Sequence, residues 1–204
     1  MGTLAHFPLA AMARLHSIQH FVETGTAQGD GLAIAAQVKE LKSLHSIEII
    51  PELAASAKAR FASDKRIKVW QGNSVDVMEK ILNKLPAEPC LFWLDAHFPG
   101  AHTGADYAAE ADAHKRLPLV DEVELIANVR VGIRDILLID DARIYQPGPY
   151  GAGDLPADWP PLKGVDRSLD FVRKAFGATH GVVVDYADQG YVMVVPRPIM
   201  RKAA

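Results

Sequence analysis

Short apolar runs rich in β-branched and aromatic residues alternate with segments of helical spacing along most of the chain, and this rhythm restricts the fold more than any other feature. Residues 18–24 (IQHFVET), 44–50 (LHSIEII), 67–70 (IKVW), 91–95 (LFWLD) and 136–140 (ILLID) read as strands. Helical patterns occupy 9–16, 32–41, the stretch opened by Pro51, 74–85 with Ser74 as N-cap, the stretch opened by Pro118, and 167–176. Residues 182–185 and 191–195 close the chain as a hairpin across the turn 187–190. Five strand–helix alternations and a hairpin predict one α/β domain over 1–204: a doubly wound, Rossmann-like, mostly parallel seven-stranded sheet with a C-terminal antiparallel hairpin. Residues 1–16 form a helical extension to it. Two long segments, 98–117 and 145–166, interrupt the rhythm after the fourth and fifth strands, on the edge where such sheets bind ligands. Phe92 and Trp93 belong to the core. Tyr150 and Trp159, in the second long segment, either line a substrate pocket or pack the loop.

The first predicted strand ends in FVETGTAQGDG, residues 21–31. Gly25, Gly29 and Gly31 give G-x-x-x-G-x-G, which matches neither the dinucleotide fingerprint G-x-G-x-x-G nor a P-loop, because no Gly-Lys-Ser/Thr follows. Glycines here let backbone amides approach a ligand with no Cβ in the way. The plain alternative is a glycine turn into a helix. Glu48, at the end of the second strand and 23 residues past Gly25, is placed to accept both hydroxyls of a ribose, or is a solvated strand-end carboxylate.

The pattern E-x-G-x-x-x-G-x-G, with Gly72-Asn73-Ser74 after the third strand, resembles the cofactor loops of class I S-adenosylmethionine-dependent methyltransferases. The resemblance covers roughly residues 18–145 by motif and the remainder by topology. It implies a cofactor site of Glu23, Gly25, Thr26, Gly29, Glu48, Asn73, Ser74 and Asp95. Glu23 would lie beside the cofactor's cationic amino group. Asn73, where the family often has an acid, would accept from the adenine amino group.

The fourth strand ends Asp95-Ala96-His97 and the fifth ends Asp140-Asp141-Ala142-Arg143. If these strands are adjacent, three carboxylates and an imidazole meet at one point. Crowded carboxylates repel unless protonated or bridged by a cation, and hard oxygen donors suit magnesium or manganese. The arrangement resembles metal-dependent small-molecule O-methyltransferases of the catechol and macrolide-sugar types, which implies Asp95, Asp140 and Asp141 as ligands of Mg2+ or Mn2+. Successive strand residues point to opposite faces, so both Asp140 and Asp141 can ligate only if the chain has left the strand by Asp141. Such a metal lowers the pKa of an acceptor hydroxyl, and a base must take its proton. His97, read as neutral near pH 7, is the favoured base, with Asp95 as its catalytic neighbour; His102 and His114 are weaker choices. The catechol-type lysine position is Phe98 here. The structural alternative has Asp95 capping a turn, Asp141 forming an Asx turn and Arg143 pairing with Asp140. His16, His45 and His180 read as structural or surface residues.

The function predicted is methyl transfer to a hydroxyl oxygen of a small metabolite. The alternatives are a non-catalytic S-adenosylmethionine-binding protein and, less favoured, a binuclear metallohydrolase. The string DAH occurs in ureohydrolases, but here it continues DAHFP without their second Asp. The formal charge of −3 advertises no nucleic-acid partner, and no apolar run reaches the ~20 residues of a membrane helix. A lone cysteine, Cys90, precludes an internal disulfide. The first residues lack signal-peptide character and a myristoylation pattern, so a cytoplasmic protein is expected. Its expected partners are a small-molecule acceptor and, as an oligomer, a second copy in a homodimer.

Overall fold

In the computed structural model, residues 3–97 and 113–198 are described. Seven strands form one sheet: β1 (His20–Thr24), β2 (Ser43–Glu48), β3 (Ile67–Gln71), β4 (Cys90–Leu94), β5 (Ile136–Ile139), β6 (His180–Asp185) and β7 (Tyr191–Pro196). Their order is β3-β2-β1-β4-β5-β7-β6. The first five are parallel, and β7 runs antiparallel to both β5 and β6. The helices are α1 (Leu9–His16), α2 (Asp30–Ala36), α3 (Pro51–Arg60), α4 (Ser74–Leu82), α5 (Ala113–Arg116), α6 (Leu119–Val129) and α7 (Asp170–Phe176). The doubly wound seven-stranded sheet with its antiparallel hairpin is the fold the sequence predicts. No helix among the described residues is long and apolar enough to cross a membrane.

The period-2 alternation of the strands sorts their side chains into two cores. Val22, Phe92, Leu94, Leu137 and Ile139 face α4, α6 and α7, with Met78, Val123 and Val172 packed on them. Phe21, Leu91, Trp93, Ile136 and Leu138 face the other way, against Leu9 of α1 and Leu32 and Ala35 of α2. All five residues of β1 and of β4 are buried, as befits central strands covered on both faces; β4 (CLFWL) is a continuous apolar run, whereas β1 (HFVET) also buries His20, Glu23 and Thr24.

Three helices differ from the sequence expectation, each for a local reason. α2 stops at Ala36 rather than 41 because the Arg66 guanidinium donates to the carbonyls of Ala36, Val38 and Leu41 and ends the helix there. The N-cap of α4 is Asn73, not Ser74: its Oδ1 accepts from the amides of Val75 (3.0 Å) and Asp76 (3.4 Å). α7 begins at Asp170 rather than 167 because Arg167 instead pins the preceding loop, donating to Asp154 Oδ1 (2.6 Å) and to the carbonyls of Arg143 and Leu155. Of the first long segment, 98–112 lies outside the described residues, and so do Phe98 and His102 and the side chain of His114; Ala113–Arg116 is a helical turn. The second is irregular apart from a 3-10 turn at Pro160–Leu162, and its Tyr150 is buried in the core.

Candidate active site

The carboxyl ends of β1, β2, β4 and β5 converge on one edge of the sheet. At the end of β1 the chain turns left-handed at Gly25 (φ +80°), and a Cβ there would stand 2.5 Å from the Asp95 carbonyl oxygen. Only glycine lets the loop press this closely on the end of β4. Gly29 (φ +82°) then caps α2. Glu23 lies beneath this loop, 1% exposed. Ser46 Oγ donates to its Oε2, and Thr26 Oγ1 lies 2.6 Å from Ser46 Oγ. Its other oxygen fills the space a Gly31 Cβ would need. Burial pushes the Glu23 carboxyl up to about 8, helped by repulsion from Glu48 and Asp30 against the Ser46 hydrogen bond.

Glu48 is buried and links two loops. Its Oε2 accepts from the Ala27 amide at 2.8 Å and its Oε1 from the Ile50 amide at 2.9 Å. Each oxygen keeps a lone pair for a further donor. Asn73 differs from expectation, because its acceptor oxygen is committed to capping α4; what it can offer a ligand is its amide N–H.

At the β4 and β5 ends, His97 stands among three carboxylates. Its Nε2 lies 3.0 Å from Asp141 Oδ2, and its Nδ1 lies 3.4 Å from Asp95 Oδ1. Asp141 can reach it because β5 ends at Ile139 and Asp141 adopts φ +52°, so the chain has left the strand where the sequence argument required it to. Arg143 Nε donates to Asp141 Oδ1 at 2.9 Å. Arg143 therefore pairs with Asp141 rather than Asp140, and it also donates to the Gly153 carbonyl in the second long loop. Burial alone would lower the imidazole pKa, but the hydrogen bond to Asp141 and the charges of Asp95, Asp141 and Asp140 hold it at about 9. The neutral imidazole expected from sequence is thus a cation in this arrangement. Burial raises Asp95 well above the usual carboxylate range, and repulsion from Asp140 adds to it. Burial likewise pushes Asp140 to about 6. Asp141, although half-buried, is lowered by its bonds to His97 and Arg143.

The Asp140 Oδ1 is buried with no hydrogen-bond partner, an oxygen that a cation would satisfy. As arranged, however, no three His, Cys, Asp or Glu side chains among the described residues are grouped to hold a metal ion, and His97 stands between Asp95 and Asp141. The donor chemistry fits a hard divalent cation; coordination requires the imidazole to move.

One residue of this edge escapes the sequence reading. Glu122 of α6 is 1% exposed, and Thr24 Oγ1 donates to its Oε2 at 3.4 Å. Its sequence signal is an acid on the apolar stripe Leu119–Glu122–Val123–Ile126, all four of which are buried. His45 and His180 are structural, as expected: His45 accepts from Trp70 Nε1, and His180 Nε2 meets the Asp135 carbonyl.

No protein-family model matches the sequence, and no curated protein matches it significantly. Solved structures do match in fold. A Staphylococcus aureus protein provisionally named a caffeoyl-CoA O-methyltransferase is 14% identical with a TM-score of 0.62, over 97% of this chain and 85% of its own. The methyltransferase PaMTH1 of Podospora anserina, solved with S-adenosylhomocysteine bound, is 17% identical with a TM-score of 0.60, over 93% and 76%. The O-methyltransferase TomG of Streptomyces achromogenes, which takes part in tomaymycin synthesis and was solved with S-adenosylmethionine, is 15% identical with a TM-score of 0.54, over 93% and 78%. The chain has the fold of these methyltransferases.

Proposed function

We propose that the protein transfers the methyl group of S-adenosylmethionine to a hydroxyl oxygen of a small metabolite, with a divalent cation at Asp95, Asp140 and Asp141. The carrying observation is the convergence, on one sheet edge, of a glycine loop whose Gly25 leaves no room for a Cβ against β4 and a carboxylate cluster around His97. The fold shared with methyltransferases supports it.

In this reading S-adenosylmethionine supplies an electrophilic methyl group, and Mg2+ or Mn2+ would lower the pKa of the acceptor hydroxyl. Gly25 and Gly29 provide bare backbone for the amino-acid end of the cofactor, with Thr26 between them in the same loop, and Glu23 faces its ammonium group. That cation compensates a carboxyl otherwise held up at about 8 by burial. Glu48 takes the ribose hydroxyls, and Asn73 and Ser74 border the adenine. Asp95 faces both halves of the site, close to Gly25 and to His97. His97, once released from its carboxylates, regains a lone pair and can take the acceptor proton; while held by Asp141 it is protonated and cannot. The second long loop bounds the acceptor side and is tied to Asp141 through Arg143.

The test is transfer of isotopically labelled methyl to a panel of hydroxylated acceptors, with Mg2+ and with chelator. Metal-dependent product supports the reading. Tight cofactor binding with no turnover on any acceptor favours a non-catalytic binding protein. Metal-dependent urea release would be the signature of the hydrolase alternative.

A further inference from the structure

Glu122 is a buried acid that the mechanism above does not use. It is 1% exposed, and its Oε1 has no hydrogen-bond partner. A buried carboxylate oxygen without a donor is destabilising, and native chains retain such groups where a ligand or an ion completes them. Its surroundings say which ligand. Thr24, which donates to Oε2, is the last residue of β1 and directly precedes Gly25 of the glycine loop. Ser74, which lies near enough to draw this carboxyl's pKa down, is the first residue of α4 and directly follows Asn73. The positive charge of His97, after β4, is also felt there. The carboxyl therefore lies where the loops after β1, β3 and β4 meet, behind the two residues expected to border a nucleobase. At that border Asn73 has no acceptor to give, because its Oδ1 caps α4. An adenine needs an acceptor for its exocyclic amino group, and Glu122 has one unused.

We propose that Glu122 of α6 accepts the 6-amino group of the cofactor's adenine, the role that the side chain of the loop after β3 cannot fill in this chain. This rests on the reading of the cleft as an S-adenosylmethionine site. It makes Glu122 a specificity residue for adenine over 6-oxopurines. An ionised carboxylate accepts from an amino group and repels a carbonyl oxygen, whereas a glutamine amide can rotate and donate to that carbonyl.

The experiment is calorimetry at about pH 8.5 with S-adenosylhomocysteine and its hypoxanthine counterpart, S-inosylhomocysteine, on the full chain. Burial pushes Glu122 to about 7, so it is ionised at that pH. The wild type should prefer the adenine ligand by roughly 10–100-fold, the size of one misplaced buried hydrogen bond. Glu122→Gln should bring the two ligands to within about threefold, mainly by gaining affinity for the 6-oxo ligand. Two ligands compared on one variant cancel any change in folded fraction. Glu122→Asp, which keeps the charge but draws it back, should weaken the adenine ligand without helping the other. Equal binding of both ligands by the wild type, or a preference unchanged in Glu122→Gln and Glu122→Asp, overturns the assignment while leaving the cofactor site standing. Failure of the wild type to bind either ligand overturns the cofactor reading and the assignment together.

Discussion

His97 Nε2 and Asp141 Oδ2 lie 3.0 Å apart, and this contact makes the imidazole a resident cation among Asp95, Asp140 and Asp141. Its folded pKa, about 9, lies above the ordinary 6.5. The stabilisation is therefore fully present below pH 6.5 and is lost as pH rises through 9, and its full size is roughly 3 kcal/mol. In the metal-free protein, with chelator present, His97→Gln should lower the unfolding temperature by several degrees at pH 6. The gap to wild type should close by pH 10. Thermal unfolding across that range checks it, and a gap independent of pH would contradict the ion pairing.

Glu23 has the opposite sign. Its folded value of about 8 lies above the usual 4.5, so it costs stability as pH rises from 4.5 through 8, in total on the order of 5 kcal/mol when no cation faces it. Glu23→Gln should raise the unfolding temperature of the ligand-free protein at pH 8.5 and leave it nearly unchanged at pH 4.5. The same variant should bind S-adenosylhomocysteine at least about 10-fold more weakly, since a charge-assisted hydrogen bond to the ammonium group is lost.

Gly25→Ala should fail on two grounds. The left-handed conformation costs a residue with a Cβ roughly 1–2 kcal/mol. The new methyl also meets the Asp95 carbonyl oxygen at 2.5 Å, which pushes the glycine loop off β4. Denaturant titration should show the loss of stability, and cofactor binding should vanish in the variant that remains folded.

Asp140→Ala should abolish turnover and largely spare cofactor binding. The metal can be read without activity: Mg2+ or Mn2+ should raise the unfolding temperature of the wild type and leave that of Asp140→Ala unmoved. Equal response of the two proteins would remove Asp140 from the cation site.

The parts of the fold legible in the sequence are those set by burial. Phe92 and Leu94 against Leu91 and Trp93 divide between two faces as the strand period demands, and the apolar run of β4 announces a central strand. The strand ends carried the candidate site for the same reason, because the order β1-β4-β5 brings Gly25, Asp95 and Asp140 to one edge. What stayed hidden depends on long-range or conformational choices. The early end of α2 is set by Arg66, thirty positions beyond the Ala36 carbonyl it meets. The left-handed turn at Asp141 selects which carboxylate Arg143 holds. The charge of His97 follows from three residues on two strand ends. Glu122 was visible as an acid in an apolar stripe, but its place behind Ser74 needed the packing of α6 on the end of β1.

The most direct test of the cofactor site is the binding of S-adenosylhomocysteine to the wild type and to Glu48→Ala by calorimetry. Glu48 joins the glycine loop to the start of α3 through the Ala27 and Ile50 amides, and it is the residue assigned to the ribose. The expected result is one molecule bound per chain, with affinity at least about 10-fold weaker in Glu48→Ala, the loss of charge-assisted hydrogen bonds. No binding by the wild type, or equal affinity in both proteins, would contradict it.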